Sequence, residues 1–343
     1  MRVLMTGDTA GGVFTFVTEL ALGLTASGYD VTLATFGPEP KELLRNIRWF
    51  HHVSRLEWQE DPWEDLQPAG TWLQSIAAAE SPDLVHLNTL CHGDLNWAAP
   101  VVTTIHSCVP TWWSQVKQSN VPAEWNRYRQ VVRQSLEAAS LLVSPTRALL
   151  DLLIDAWPVD FSSALVIPNG LDQSQCRRLE KSDFVLAVGR FWDEAKNVKA
   201  LASVAKSIPW PIYLAGESGN ASECRVLGHL SRNELFDWYA RASIFVSPAR
   251  YEPFGLSVLE AAMSGCALLL SDIPSFRENW SGAAMFVRPE ELEAGLNTLI
   301  ADEPLRRDLQ RKAKERSCLF SREAMTANYV AAYQHVGECL CVS

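Results

Sequence analysis

An α/β protein of two doubly wound halves facing a shared cleft is the fold class this sequence predicts. Three observations carry it: short apolar strands recur in two series, the first series opens with a complete βαβ unit, and a polar stretch after Ile167-Pro-Asn-Gly-Leu-Asp172 separates the two.

Residues 3–5 read as a buried strand, Gly7-Asp-Thr-Ala-Gly-Gly12 as a loop, and 13–26 as a helix stopped by Gly28, before a second strand at 31–35. Parallel strands need such a crossover, and its helix covers one face of the sheet. Further strands are expected at 84–87, 101–105 and 141–143, and a second series at 184–188, 212–214, 244–246 and 267–270. The halves are thus residues 1–165 and 184–321, with a linker over 167–183 and a closing helix from about 322 to 336. Doubly wound halves bind ligands beyond the carboxyl ends of their strands.

The chain has 343 residues, 48% of them hydrophobic, enough for two cores. No apolar run approaches the ~20 residues that span a bilayer. The opening Met1-Arg-Val-Leu-Met-Thr-Gly reads as a strand cut off by a turn, not as a signal peptide. Eight cysteines are scattered, with only Cys339 and Cys341 close together, which suits small buried hydrophobes rather than disulfides. A cytoplasmic protein without an integral membrane segment is expected. Net charge is −10, with 10 basic and 18 acidic residues in 1–160 against 20 and 22 in 161–343. That balance argues against nucleic acid and disfavours an anionic membrane surface. Arg127, Arg129 and Arg133 read as a solvated helix face.

The richest stretch is Arg250-Tyr-Glu-Pro-Phe-Gly-Leu-Ser-Val-Leu-Glu-Ala-Ala-Met-Ser-Gly265. Pro253 biases Glu252 toward an extended conformation. Gly255 allows close backbone approach, and 256–263 reads as a helix ending near Gly265. The first amides of that helix, around Phe254, Gly255, Leu256 and Ser257, then face outward with the positive end of the dipole behind them, a place for phosphate. Glu252 stands at its mouth and Glu260 about one turn inside, where carboxylates accept hydrogen bonds from hydroxyls. A glycosidase acid/base pair is the poorer reading: its carboxyls lie ~5–9.5 Å apart, whereas eight helical residues separate backbones by about 12 Å with divergent side chains.

The Glu-Pro-Phe-Gly-Leu-x-x-Leu-Glu-Ala pattern, with seven residues between the acids, resembles that of the family 4 retaining glycosyltransferases, and the likeness extends over nearly the whole chain. It implies the GT-B fold of two Rossmann-like domains. Residues 1–165 would then be the acceptor side, with a C-terminal helix at about 322–343 crossing back onto them, and 184–321 the donor side. The implied reaction is a hexosyltransferase-type transfer from a nucleoside-diphosphate sugar, a co-substrate rather than a cofactor, to an unidentified sugar, lipid or small-molecule acceptor.

The resemblance also implies residue roles. Arg190 and Lys196, in the loop Gly189-Arg190-Phe-Trp-Asp-Glu-Ala-Lys196-Asn197 after a strand, would grip the donor diphosphate, with Lys199 as an alternative cation. Preordered cations stabilise the charge that builds as the diphosphate departs; a surface loop with two solvated cations is the plain alternative. Glu260 would bond the ribose hydroxyls and Glu252 the donor sugar. Gly11 and Gly12 would lie beside the phosphates and acceptor; their loop lacks the G-x-G-x-x-G spacing of a dinucleotide site, which argues against a nicotinamide oxidoreductase. His106, after the strand at 101–105, would neighbour the donor sugar, while His86 reads as packing. Val226 to Leu235 reads as a strand end, a turn near the nucleobase and a helix capped by Ser231 with Glu234. No D-x-D pair at a strand end offers a metal site, so metal independence is expected. Eight of the thirteen tryptophans fall between Trp49 and Trp125, with Trp58, Trp63, Trp112 and Trp113 read as loop aromatics able to stack on an acceptor. The rival readings are a 2-epimerase-type GT-B isomerase and a non-catalytic nucleotide-sugar-binding module.

Overall fold

The structure is a computed structural model that describes residues 1–40, 47–177, 179–217 and 223–341, the side chains of 339–341 excepted. It divides into two compact units: Met1–Ser114, Gln118–Gly170 and Arg322–Ser343 form one, Gln115–Lys117 and Leu171–Ser321 the other.

The first unit runs β1 (Arg2–Asp8), α1 (Gly12–Ala26), β2 (Asp30–Gly37), β3 (Arg48–Val53), α2 (Trp63–Glu80), β4 (Leu84–Leu87), β5 (Val101–Thr104), α3 (Val109–Val116), α4 (Asn126–Glu137), β6 (Leu141–Ser144), α5 (Arg147–Ala156) and β7 (Leu165–Val166). Its parallel sheet has the order β3-β2-β1-β4-β5-β6-β7. The order reverses between β1 and β4, the topological switch point outside which doubly wound sheets generally bind ligands. Successive side chains of β1 serve opposite faces. Val3 and Met5 pack with Phe16, Leu20 and Leu24 of α1, and Leu4 packs with Phe36, Leu56 and Leu73. A sheet covered on both sides needs such uninterrupted apolar strands.

The second unit runs β8 (Ser182–Val188), α6 (Val198–Val204), β9 (Ile212–Ala215), β10 (Arg225–Gly228), α7 (Arg232–Arg241), β11 (Ala242–Ser247), α8 (Leu256–Met263), β12 (Ala267–Ser271), α9 (Pro274–Trp280), β13 (Met285–Val287), α10 (Leu292–Ala301) and α11 (Glu303–Ser317). Its parallel sheet, β10-β9-β8-β11-β12-β13, reverses between β8 and β11. Leu186, Phe245, Leu268 and Leu270 pack on one face with α7 and α8, and Val185, Ile244, Val246 and Leu269 on the other with α6 and α10.

The last helix, α12 (Arg322–Cys341), belongs to the first unit. It seats Met325, Tyr329, Tyr333 and Val336 in the core beneath α1, where each large apolar side chain contributes about 1.5–3 kcal/mol by burial. Gly23 makes this approach possible, since a Cβ there would stand 2.0 Å from Thr326 Oγ1. Arg322 Nε donates to the buried Glu19 carboxylate at 2.7 Å beside that contact.

Several local expectations change. The strands β3, β7 and β13 were not expected from the sequence. Trp63 starts α2, and Trp112 and Trp113 lie within α3, so these are helical rather than loop aromatics. Part of the expected linker is packed: Leu171 is fully buried in the second unit's core, and a one-turn helix covers Gln173–Gln175. Cys91, Cys108, Cys224 and Cys266 are buried free thiols as expected of small hydrophobes, but Cys176 is half-buried and Cys318 exposed; the side chains of Cys339 and Cys341 lie outside the described residues. Arg127, Arg129 and Arg133 are carried on α4, and the Arg127 guanidinium covers the Trp63 ring at 4.4 Å.

Candidate active site

The switch point of the second unit collects most of the residues singled out in the sequence. The loop after β8 folds back through a one-turn helix, Glu194–Lys196, whose first amides are capped by Asp193. Asn197 then turns the chain in a left-handed conformation (φ 51°) and donates from Nδ2 to the Pro248 carbonyl at 3.0 Å. The Arg250 amide donates to the Ala195 carbonyl at 2.8 Å. These two bonds tie the loop after β8 to the segment after β11, and Lys196 Nζ thereby comes 2.5 Å from Glu252 Oε2. The Lys196 stem lies along Gly189, at 3.6 Å from where a Cβ would stand. Gly216 is needed alongside: its φ is 129°, and a Cβ on it would stand 2.1 Å from the Gly189 carbonyl oxygen, which leaves no room for a side chain.

Arg190 follows directly, half-buried, with its guanidinium 5.4 Å from the centre of the Trp192 ring. The indole of Trp192 in turn donates to Glu217 at 3.1 Å. Lys199, the alternative cation, is exposed on α6.

Gly255 is the N-cap of α8 with φ 90°, a conformation that suits glycine. A Cβ on it would stand 3.1 Å from both Phe276 and Val258. The Phe254 side chain is buried in the core and packs edge-on to Phe320, so only its backbone is left for a ligand. The amides of Leu256 and Ser257 begin the helix, where an α-helix leaves its first N–H groups unpaired. The Glu252 carbonyl is held by the Ser275 hydroxyl of α9.

Glu260, four residues into α8, is buried. The Tyr239 hydroxyl donates to its Oε2 at 2.9 Å and Arg232 Nη1 to its Oε1 at 3.2 Å. Burial first, and the Glu260 charge second, hold the Tyr239 hydroxyl well above its usual pKa, so it remains a donor. The Ser231 and Glu234 capping box of α7 is formed, which presents Arg232 as the first residue of that helix.

In the first unit, the switch point between β1 and β4 carries the other candidates. Gly11 has φ 79° and caps α1, whose first residue is Gly12. His106 stands just past β5, with Nε2 at 2.9 Å from Asn88 Oδ1 and its ring 4.4 Å from that of Phe16. Burial lowers the His106 pKa to about 3, so the ring is neutral. Asn88 is fixed by the Thr6 hydroxyl and carbonyl, both at 2.9 Å, which joins the ends of β1, β4 and β5 in one polar chain. His86 is a core residue, bonded to Thr104 and Tyr333, and its pKa is lowered to about 3 by burial and by His106.

Sequence reasoning missed Arg232, Tyr239, Asn88 and Thr6. Polar residues at strand ends beside a switch point were the signal for Thr6 and Asn88; Arg232 and Tyr239 carry none, because helix spacing does not show that they reach α8. Among the described residues no three His, Cys, Asp or Glu side chains are grouped as metal ligands, and no helix is long and apolar enough to cross a membrane.

Comparison with known proteins identifies the family and the fold. Residues 10–175 match the family described as Glycosyltransferase Family 4, and residues 172–316 the one described as Glycosyl transferases group 1. Among curated relatives, the D-inositol 3-phosphate glycosyltransferase of Kineococcus radiotolerans is 27% identical, covering 88% of this chain and 85% of its own. The glycogen synthase of Mycobacterium tuberculosis is also 27% identical, covering 81% and 80%. Among solved structures, sucrose-phosphate synthase from Thermosynechococcus elongatus superposes with a TM-score of 0.81 at 19% identity over all of both chains. Anabaena HepE in complex with UDP-glucose does so with a TM-score of 0.76 at 18% identity, again over all of both chains.

Proposed function

Since this chain is a glycosyltransferase of family 4 with the GT-B fold, we propose that it transfers a sugar from a nucleoside-diphosphate sugar to an acceptor hydroxyl, with retention of anomeric configuration and without a metal ion. The observation that supports this most is the meeting of Lys196 and Glu252 at 2.5 Å beside the N-terminus of α8, at the switch point of the second sheet. A cation, the first amides of α8 and a hydroxyl-accepting carboxylate are there within one site, which fits a group that is anionic at one end and a sugar at the other.

In this reading Arg190, Lys196 and the amides of Leu256 and Ser257 hold the diphosphate, and Glu252 accepts hydrogen bonds from the transferred sugar. Glu260 accepts them from the ribose. The bond from the anomeric carbon to the diphosphate oxygen breaks as the bond to the acceptor oxygen forms on the same face. The acceptor proton goes to the departing diphosphate oxygen, whose charge the two cations and the helix terminus stabilise. His106, neutral and hydrogen-bonded to Asn88, adds no further cation. Gly11 and Gly12 bring backbone amides to the acceptor side. The acceptor is a sugar, lipid or small molecule bearing a hydroxyl. The free cysteines suit a reducing compartment, and we place the reaction in the cytoplasm.

The test is a panel of nucleotide sugars with candidate acceptors, read by free nucleoside diphosphate and by the anomeric proton coupling of the product. Release of diphosphate with a product of the donor's own anomeric configuration, undiminished by chelator, supports the proposal. Inversion, or complete loss that added metal restores, refutes retention or metal independence respectively.

A further inference from the structure

We propose that Arg232 is a positioning residue of the nucleotide site, which keeps Glu260 ionised and aimed at the ribose hydroxyls; this rests on the reading of Glu260 as the ribose-binding group.

The location of Arg232 calls for an explanation. It is the first residue of α7, directly after the Ser231 cap. A cation in the first turn opposes the helix dipole. Its side chain nevertheless folds inward, one-third exposed, along the Phe236 ring at 5.1 Å. Nε donates to Gln175 Oε1 at 2.6 Å and Nη1 to Glu260 Oε1 at 3.2 Å. Gln175 comes from the packed stretch ahead of β8, so the guanidinium is anchored through Nε at one end and presents Nη1 to the carboxylate at the other. A planar guanidinium is suited to that double engagement, and lysine is not.

Glu260 is where such a partner is needed. Its side chain is 8% exposed, and a buried carboxylate lacking a cation tends to be neutralised by a proton. A protonated carboxyl would present a donor where an ionised one presents only acceptors. Tyr239 approaches Oε2 from the core and Arg232 approaches Oε1, which fixes the plane of the group from two sides. An ionised carboxylate only accepts hydrogen bonds, which suits ribose hydroxyls acting as donors. Two vicinal ribose hydroxyls offer donors in a spacing that a fixed carboxylate plane matches. Arg232 therefore acts through Glu260, and its removal loosens the reading of the sugar more than the grip on the phosphates.

The experiment compares full-length wild type and Arg232→Met by calorimetric titration with UDP, GDP and ADP and with their 2′-deoxy counterparts. A hydrogen bond to a charged group is equivalent to about tenfold to a hundredfold in affinity, so wild type should favour the ribose form of its preferred nucleotide by at least about tenfold. Arg232→Met should lower that preference at least about fivefold while affinity for the 2′-deoxy form changes little. Arg232→Lys keeps a cation without the tether to Gln175, and should retain more of the preference than the Met variant; it also serves should the Met variant fold poorly. An Arg232→Met protein with the full wild-type preference, or with equal loss for both forms, overturns the positioning role and, in the latter case, puts Arg232 on the diphosphate. A wild type that binds ribose and 2′-deoxy forms alike overturns the ribose reading of Glu260, and this inference with it.

Discussion

Lys196 and Glu252 are 56 residues apart in the chain and 2.5 Å apart in the structure, on two loops that are also joined by a side-chain and a backbone hydrogen bond. Asn197 Nδ2 donates to the Pro248 carbonyl and the Arg250 amide to the Ala195 carbonyl, which ties the two loops together beside the ion pair. Both side chains keep partial access to solvent, 21% for Lys196 and 14% for Glu252. In the proposed reading a diphosphate takes over Lys196 while a sugar hydroxyl takes over Glu252.

Glu252→Gln keeps the shape and removes the charge. Transfer should fall about 10²–10³-fold, the range seen when one preorganised group facing a developing charge is lost. Lys196→Met should do likewise, and the double variant should lose much less than the product of the two, because the residues act as a unit. Initial rates of diphosphate release check this; full additivity would mean that the two side chains serve separate steps.

Gly255→Ala tests the anion site by its backbone. The residue has φ 90°, and a Cβ would meet Phe276 and Val258 at 3.1 Å. A non-glycine residue held in such a conformation costs about 1–3 kcal/mol. A domain of this size loses roughly 2–4 °C in melting temperature per kcal/mol. The melting temperature should fall accordingly and nucleotide affinity should fall with it; unchanged affinity would remove the helix terminus from the site.

Acid should destabilise the first unit through its histidines. Burial lowers the pKa of His86 and His106 to about 3 and of His92 to about 4, against about 6.5 for an unfolded histidine. The unfolded chain thus binds more protons between these values. Stability is complete above pH 6.5 and is lost as pH falls from there toward 3–4, each histidine adding a slope of up to about 1.4 kcal/mol per pH unit. Urea unfolding at pH 7, 6 and 5 measures the slope. His86→Gln should lessen it by about one proton; an unchanged slope would mean that His86 titrates normally in the folded state.

The fold was legible where punctuation and apolar runs coincide. Helix α8 lies at 256–263, as expected, because Gly255 and Gly265 bracket it and its interior is uninterrupted. The strand at 84–87 is likewise where the sequence places it. Strand β3, Arg-Trp-Phe-His-His-Val, was not legible: it is an edge strand, half-exposed, with no two-residue alternation. Pro110 misled in the other direction, since proline in the first turn starts helix α3 rather than marking a loop around Trp112 and Trp113. In the site, the acids and cations were readable from their places after strands, but the partners of Glu260 were not. Arg232 looks like a solvated residue at a helix start, and only the packing of α7 on α8 turns it inward.

Arg190→Ala is the substitution that bears most directly on the central claim, because the nucleotide-sugar reading needs a diphosphate held by the loop after β8. Melting temperature should be followed for wild type and variant with UDP, GDP, ADP and their common sugar conjugates. A ligand at a hundredfold excess over Kd stabilises the folded state by about 2.7 kcal/mol. The account predicts a clear rise for one nucleotide series in wild type and, with a charge-assisted contact removed, about 10–100-fold weaker binding in Arg190→Ala. A wild type that none of these nucleotides stabilises up to millimolar concentration, or a variant that responds just as wild type does, would contradict it.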